Sequence, residues 1–274
     1  MAGFQKVYNK FIGCANDNHF ETSVLFAAQI KLAMQRVGKQ FTRFETDGGY
    51  SLINTAIPNL GKSFYELLNT KEVNSFYLCT TNYDGILDSL LTYYCGEELK
   101  RKFVLKDGFI HGHFENSLFR RSKYKIAHLH GSYKYFKSSD STIKLERGVV
   151  NSNPVMIYDD PNCKEAAIRQ DSVLSANLLE LEYQLKVCDR VIIIGNSFKT
   201  EPHLKRLINT HFNRPNTQII ISSDKPEEVA STLEPYYNFP IYTQSTMHIR
   251  SEQHLIELFK KLFDSNYYRM LATA

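Results

Sequence analysis

The sequence predicts an α/β protein whose core is a doubly wound parallel sheet. Three short apolar runs, at residues 76–79, 191–194 and 219–221, each end in small polar residues. Continuous apolar runs of this length are typical of strands that are buried on both faces, as in a parallel sheet. Helical patterns separate the runs, and strands that alternate with helices indicate a parallel sheet covered by helices.

Ahead of the first strand, the sequence is expected to be helical over about residues 1–72. Apolar residues at near-helical spacing predict a helix over 20–37. Residues 52–68 predict one or two short helices, broken at Pro58 and Gly61.

The Rossmann-like core is expected over about residues 73–274, with an irregular insertion over about 95–165. In that insertion the apolar periodicity fades and turn-forming residues are frequent. We expect one domain over residues 1–274. The remaining elements predicted are strands at 125–130 and 241–242, helices at 86–91, 166–187 and 204–212, and a terminal helix capped by Ser251.

Composition and charge exclude several classes of protein. Hydrophobic residues make up 43% of the chain and charged residues 23%, values that are ordinary for a folded globular protein. The net charge is only +4 and the basic residues are scattered, which argues against direct nucleic-acid binding. Neither a secretion signal nor a run of about 18 apolar residues is present, so no membrane span is predicted.

The five cysteines are widely spaced and form no C-x-x-C pair. This usage predicts a reduced, cytoplasmic protein without a bound metal. Cys79 and Cys188 lie beside apolar runs, so we expect small core residues there rather than nucleophiles.

Polar residues follow each predicted strand. In an open parallel sheet, ligands bind beyond the carboxyl ends of the strands, near the point where the strand order reverses. One cleft there could collect all of these polar residues. Glycine allows close backbone approach and serine hydroxyls bind phosphate or ribose, so the cleft suits a nucleotide. The polar stretches are Thr80–Asp84, His128–Ser132, Gly195–Ser197 and Ser222–Asp224.

Each stretch taken alone has a simpler explanation. Asn82 and Asp84 are good helix caps and precede a helical pattern. His128 and His130 fit a pair of hydrogen-bonded histidines on one face of a strand. The stretch at 195–197 fits an ordinary strand-to-helix turn. What favours a binding site is the order in which the stretches follow one another.

That order resembles the sirtuin-like superfamily of NAD-consuming proteins, in which T-x-N-x-D, H-G and G-x-S motifs follow successive strands. The resemblance covers residues 75–225, about half of the chain, and its T-T-N-Y-D and H-L-H-G elements are more similar to bacterial sirtuin-like NAD hydrolases of anti-phage defence than to protein deacylases. The matching residues are Thr80-Thr81-Asn82-Tyr83-Asp84, His130-Gly131 and Gly195-Asn196-Ser197.

The chain departs from the family at two places. Deacylases usually carry four zinc-binding cysteines shortly after the His-Gly motif, but only Cys163 lies in that region, which argues against a deacylase. The family also has a glycine-rich G-A-G loop that cradles the pyrophosphate. Its nearest counterpart, Phe11–Asn16, retains one glycine, which favours weak NAD binding.

The resemblance implies that NAD is the substrate and that its nicotinamide glycosidic bond is hydrolysed. Asn82 and His130 would be catalytic, because an amide can orient water or ribose and an imidazole can accept a proton at neutral pH. Asp84 would face the nicotinamide carboxamide. The other substrate-binding residues expected are Thr81, His128, Gly131, Gly195, Asn196, Ser197 and Ser222.

Two alternatives stay open. One is a catalytically weak module that binds NAD or ADP-ribose as a sensor or assembly subunit, and the other, with less support, is an NAD-dependent protein deacylase. Because unrestrained NAD hydrolysis would harm the host, a homo-oligomer or a regulatory partner protein is also expected.

Overall fold

The computed structural model contains a mixed α/β fold with parallel and antiparallel sheets. The chain divides into two units, which we call the first unit, Met1–Leu52, Leu78–Ser89 and Leu105–Leu178, and the second unit, Ile53–Tyr77, Leu90–Val104 and Leu179–Ala274. The structure describes residues 55–69, 73–93, 105–139, 141–146, 149–151, 153–158, 160–234, 237 and 241–264, and also 29, 32–33, 35–37 and 39–40.

Helices and strands are numbered here in chain order. The helices are α1 Leu60–Leu68, α2 Ile86–Tyr93, α3 Asn116–Arg121, α4 Lys164–Gln170, α5 Ser172–Val187, α6 Pro202–His211, α7 Pro226–Ser231 and α8 Glu252–Phe263. The strands are β1 Phe76–Thr80, β2 Phe109–Ile110, β3 His113–Phe114, β4 Tyr124–His128, β5 Gly131–Lys137, β6 Thr142–Lys144, β7 Pro154–Met156, β8 Arg190–Ile194, β9 Gln218–Ser223 and β10 Ile241–Ser245.

The second unit contains a three-stranded parallel sheet with the strand order β10-β9-β8. Ile220 of β9 is the register partner of both Ile192 and Tyr242, so the central strand is paired on both sides. Parallel neighbours need a crossover connection, and α6 and α7 provide it here. The predicted strands at 191–194, 219–221 and 241–242 are confirmed.

Helix α8 packs against this parallel sheet. Leu258 and Leu262 form a buried cluster with Ile220, so burial of apolar surface holds the helix on the sheet. Ser251 accepts a hydrogen bond from the amide of His254 at 3.3 Å, which confirms the predicted helix cap.

The first unit contains two sheets among its described residues. Strand β1 pairs with β4, and a five-stranded antiparallel sheet has the order β2-β3-β6-β5-β7. This larger sheet lies where the sequence predicted an irregular insertion. Its strands β2, β3, β6 and β7 have only two or three residues each, too short for a two-residue period to stand out. Strand β5 is buried over its first five residues and therefore shows no alternation either.

Three predicted boundaries differ from the structure. The strand predicted at 125–130 ends at His128. The helix predicted at 166–187 is two helices, because Asp171 is extended and its carboxylate accepts hydrogen bonds from the amides of Val173 and Leu174, which starts a new helix. The predicted break at Pro58 is confirmed, but Gly61 lies inside α1.

Several predictions fall on residues outside the described part of the chain. The described residues between 29 and 40 are helical, while 20–28 of the same predicted helix and the stretch Phe11–Asn16 are not described. The single domain over 1–274, with its helical part and insertion, stays a prediction. In the part of the chain that the structure describes, no helix combines the length and the apolarity needed to cross a membrane.

Candidate functional site

The T-T-N-Y-D stretch leaves strand β1 as a short loop before α2 begins at Ile86. The amide of Asn82 donates a hydrogen bond to Oγ1 of Thr80 at 3.1 Å, and the amide of Ile86 donates to Oδ1 of Asp84 at 3.1 Å. Side chains that accept from the backbone two residues onward stabilise such turns. The helix-entry role that the sequence left open for both Asn82 and Asp84 therefore belongs to Asp84.

The H-L-H-G-S stretch lies directly against this loop. The amide of Leu129 donates to the carbonyl of Thr80 at 2.9 Å. The carbonyl of Tyr83 accepts hydrogen bonds from the amide of Tyr133 and from the hydroxyl of Ser132, both at 3.1 Å. The structure thus brings together the two stretches that the sequence predicted to converge.

His128 connects the two stretches through its ring. The side chain is buried, with Nδ1 3.1 Å from the backbone oxygen of Asn82 and Nε2 2.5 Å from Oδ2 of Asp88. A carbonyl and an ionised carboxylate can only accept hydrogen bonds, so both ring nitrogens of His128 face acceptors. Because protein atoms occupy both ring nitrogens, any part that His128 has in substrate binding is indirect.

Asp88 belongs to a series of buried and half-buried ionisable side chains. Its Oδ1 lies 3.2 Å from Nζ of Lys144, and the same Nζ lies 2.6 Å from Oδ2 of Asp107. Burial alone would raise the pKa of Asp88, but the charges of Lys144 and His128 outweigh it and hold that pKa well below its usual range. Burial would likewise lower the pKa of Lys144, yet Asp88 and Asp107 raise it well above its usual range. Asp88 and Lys144 are therefore charged at neutral pH.

Tyr135 packs against His128, the last residue of this series of side chains. Its ring meets that of His128 edge-on, with the ring centroids 5.9 Å apart. Burial raises the pKa of Tyr135 far above its usual range, so the hydroxyl stays neutral. Sequence reasoning missed the group, although one signal was present: Asp88 interrupts the apolar pattern of α2, where a buried carboxylate needs a partner.

The side chains of Thr81 and Asn82 make no hydrogen bond to any described residue. Thr81 is half-buried and Asn82 is exposed. The backbone of Asn82 is nevertheless fixed at both its amide and its carbonyl, by Thr80 and His128. An amide group with free donors and acceptor therefore projects from a fixed backbone, which suits a group that orients a ligand.

His130 lies in the turn between β4 and β5, where the chain passes from the two-stranded sheet to the five-stranded sheet. The side chain is buried. The backbone carbonyl of His130 accepts a hydrogen bond from the amide of Ile157 at 2.8 Å. Gly131 has φ +83°, and a Cβ there would lie 2.1 Å from the carbonyl oxygen of Val155. Only glycine fits this position, so Gly131 has a structural role in the corner that carries His130.

The second unit carries the other predicted residues. Gly195 follows β8 with φ +66°, and its amide donates to the carbonyl of Ser222 at 2.9 Å. Oδ1 of Asn196 accepts a hydrogen bond from the amide of Phe198 at 2.7 Å, so this stretch forms an Asx turn. Ser197 is exposed, whereas Ser222 is fully buried in β9 with no hydroxyl partner among the described residues.

The predicted site residues thus fall into two groups, each described within its own unit. Thr81, Asn82, Asp84, His128, His130 and Gly131 belong to the first unit, and Gly195, Asn196, Ser197 and Ser222 to the second. The single cleft expected to collect both groups stays a prediction.

The described cysteines, Cys79, Cys163 and Cys188, are free thiols. Burial raises the pKa of Cys188 to about 11, so this residue is a protonated thiol at neutral pH and a poor nucleophile.

A scan of the chain against protein-family models gave no match, and a comparison with curated proteins gave none either. Functional assignment therefore depends on the motif residues and on the geometry within each unit.

Proposed function

We propose that the chain is a sirtuin-like NAD glycohydrolase, which breaks the bond between nicotinamide and ribose and releases nicotinamide and ADP-ribose. The observation that carries the proposal is the contact between the T-T-N-Y-D loop and the H-L-H-G corner, which leaves the Asn82 side chain open on a fixed backbone. By the motif resemblance, the protein would act as an effector of anti-phage defence in the cytoplasm.

Hydrolysis of the bond between nicotinamide and ribose needs few catalytic groups. The nicotinamide ring is cationic in NAD and becomes neutral when it leaves, so its departure requires little acid. The positive charge that develops on the ribose and the attacking water both require positioned partners. Asn82 would orient the water or a ribose hydroxyl through its amide. His130 would accept the proton from that water. No metal takes part in this mechanism.

Further contacts to NAD are proposed for Asp84 and, separately, for residues of the second unit. One carboxylate oxygen of Asp84 accepts from the Ile86 amide, so the other oxygen would accept from the nicotinamide carboxamide. The order β8-α6-β9-α7-β10 supports a Rossmann-like, doubly wound arrangement that binds nucleotide at its strand ends. There the exposed hydroxyl of Ser197 would contact phosphate or ribose, and the fully buried Ser222 would support the Gly195 turn through its carbonyl.

A second candidate is a module that binds NAD or ADP-ribose without turning it over. It is favoured by the single glycine in the stretch at 11–16, where the family carries a G-A-G loop. In either case we expect a homo-oligomer or a regulatory partner protein to control the activity.

The test is to incubate the purified full chain with NAD and to follow nicotinamide by chromatography over a range of protein concentrations. Nicotinamide release that Asn82→Ala abolishes would support the glycohydrolase. Calorimetric binding of NAD without release at any concentration would support the binding module. Absence of both binding and release would overturn both candidates.

A further inference from the structure

Four ionisable side chains form a connected series that ends at the Asn82 loop. We call Asp88, Asp107, His128 and Lys144 the ion cluster. Their side chains are between 3% and 24% exposed, and each contacts the next, from Asp107 through Lys144 and Asp88 to His128. The last contact of the series is the one between His128 and the backbone oxygen of Asn82.

Stability alone is a weak reason for such a cluster. Burying charges costs free energy that pairing offsets at best, and well-packed apolar residues often serve equally well. What an ion cluster adds is a fixed geometry, since each charge has only a few acceptable positions for its partners. This one joins α2, β4, β6 and the loop before β2. It therefore connects the helix that follows the Asn82 loop with the strand that lies against that loop.

The ring of His128 links the ion cluster to the backbone of the Asn82 loop. With Nε2 held by Asp88 and Nδ1 directed at the Asn82 carbonyl, the ring bridges one acceptor in α2 and one in the loop. Tyr135 packs edge-on against the ring and limits its rotation. Movement of Asp88 would therefore move the ring, and with it the backbone of Asn82.

We propose that the ion cluster positions Asn82 for catalysis: His128, held by Asp88, fixes the backbone of Asn82 so that its amide keeps one orientation toward NAD. The inference rests on the proposed function. It assigns His128 a positioning role, because both of its ring nitrogens contact protein atoms, and it extends that role to Asp88, Lys144 and Asp107.

The test compares Asp88→Asn with Asp171→Asn in the full chain. Both are buried carboxylates of the first unit, and Asp171 pairs with Lys137 at 2.8 Å and accepts from Thr142 at 2.5 Å. Among the described residues, none of its hydrogen bonds or ion pairs reaches the Asn82 loop. Asp88→Asn is expected to lower kcat by up to about 100-fold with little change in KM, because a displaced catalytic group slows the step without removing substrate contacts. Asp171→Asn is expected to lower the melting temperature and leave kcat per folded molecule unchanged.

A second measurement does not depend on NAD turnover. Hydrogen exchange of the amides at 82–85 is expected to accelerate in Asp88→Asn and to stay at the parent rate in Asp171→Asn. If exchange at 82–85 accelerates in Asp88→Asn but the parent chain releases no nicotinamide, the proposed function is wrong. The conclusion that the ion cluster holds the loop is then still supported. If the parent is active and Asp88→Asn matches Asp171→Asn in both kcat and exchange, the positioning role is overturned.

Asp107→Asn keeps the inference testable if Asp88→Asn does not fold. Asp107 is the most exposed member of the ion cluster and the most distant from His128 along the series of contacts. Its neutralisation is expected to produce the same loss of kcat and the same faster exchange to a smaller degree. If kcat and the exchange rates of Asp107→Asn equal those of Asp171→Asn, the positioning role is overturned.

Discussion

The two units hold their motif residues by different means. In the first unit, side chains from other segments fasten the loop after β1, most of all His128 with its charged partners. In the second unit, the turn after β8 is held by a backbone hydrogen bond from Gly195 to Ser222 of the neighbouring strand and by the Asx turn of Asn196. The loop after β1 therefore depends on side chains that are distant in sequence, whereas the turn after β8 depends on backbone contacts and one side chain of its own.

The largest difference is expected from matched glycine substitutions. In Gly131→Ala, the added Cβ sits on a residue with left-handed backbone angles and collides with the Val155 carbonyl. We therefore expect the free energy of unfolding to fall by about 3 kcal/mol, the upper end of the common range for point substitutions. Gly195→Ala has the same backbone strain but open space around the Cβ, so the expected loss is about 1–2 kcal/mol. Urea denaturation of both variants measures the difference. Equal losses would remove the contrast between the two turns.

Next in size is the effect of Asn82→Ala on catalysis. If the exposed amide orients water or ribose, kcat for nicotinamide release should fall by about 100-fold or more. The melting temperature should not change, because no described residue hydrogen bonds to this side chain. Kinetics with NAD and a thermal melt of the same sample measure both quantities.

His130→Ala and His128→Ala are the companions to that substitution. Per folded molecule, loss of the proton acceptor at His130 should cost more in kcat than loss of the positioning ring at His128. The reverse order would contradict the assignment of the proton acceptor to His130. A lower melting temperature for Asn82→Ala with unchanged kcat would make Asn82 a structural residue.

A smaller effect concerns pH and lies outside the site. Burial would raise the pKa of Asp171, but hydrogen bonds from Lys137, Thr142 and the Leu174 amide outweigh it and lower the pKa. A lowered native pKa stabilises the fold above the unfolded value of about 3.9 and loses this effect as pH falls through the native value. Asp171→Asn should therefore cost about 1–3 kcal/mol at pH 7, and the difference from the parent should shrink below about pH 4.

Thermal melts of both proteins between pH 7 and pH 2 measure that difference. A gap that stays constant over the whole range would mean that the charge of Asp171 does not contribute, and that only its shape and its cap to α5 matter.

The smallest effect is expected from Ser197→Ala. The side chain is exposed and makes no hydrogen bond to a described residue, so folding should be unaffected. Loss of one neutral hydrogen bond to NAD is worth about 0.5–1.5 kcal/mol, which raises KM by about 2- to 10-fold while kcat stays the same. An unchanged KM would remove Ser197 from the binding site.

The sequence predicted the parallel part of the fold well, for a physical reason. Strands buried on both faces appear as apolar runs, and Val191–Ile194 and Ile219–Ile221 stand out in any window. The antiparallel sheet was missed because most of its strands are too short to show a period. The break at Asp171 was missed because the apolar pattern continues through it, while the cap that restarts the helix depends on one carboxylate.

The site could be predicted only where its residues are neighbours in sequence. T-T-N-Y-D and H-L-H-G were recognisable as stretches, and their contact followed from the expected strand ends. The contacts of Asp88 with His128 and Lys144 were not predictable in this way, since the three residues come from separate elements and no pattern links them. Which atom of Asn82 the ring contacts likewise depends on three-dimensional packing.

The contact between Asp88 and Lys144 spans 56 residues of the chain, and this separation has a consequence for synthesis. A ribosome adds residues in order, so the Asn82 loop emerges well before Lys144 does. Until that lysine is available, Asp88 lacks the countercharge that keeps it buried beside His128. A nascent or truncated chain that ends before residue 144 would therefore contain both motifs without a fastened loop. For the proposed NAD glycohydrolase, this order of synthesis would leave the Asn82 loop unfastened until translation has passed the midpoint of the chain.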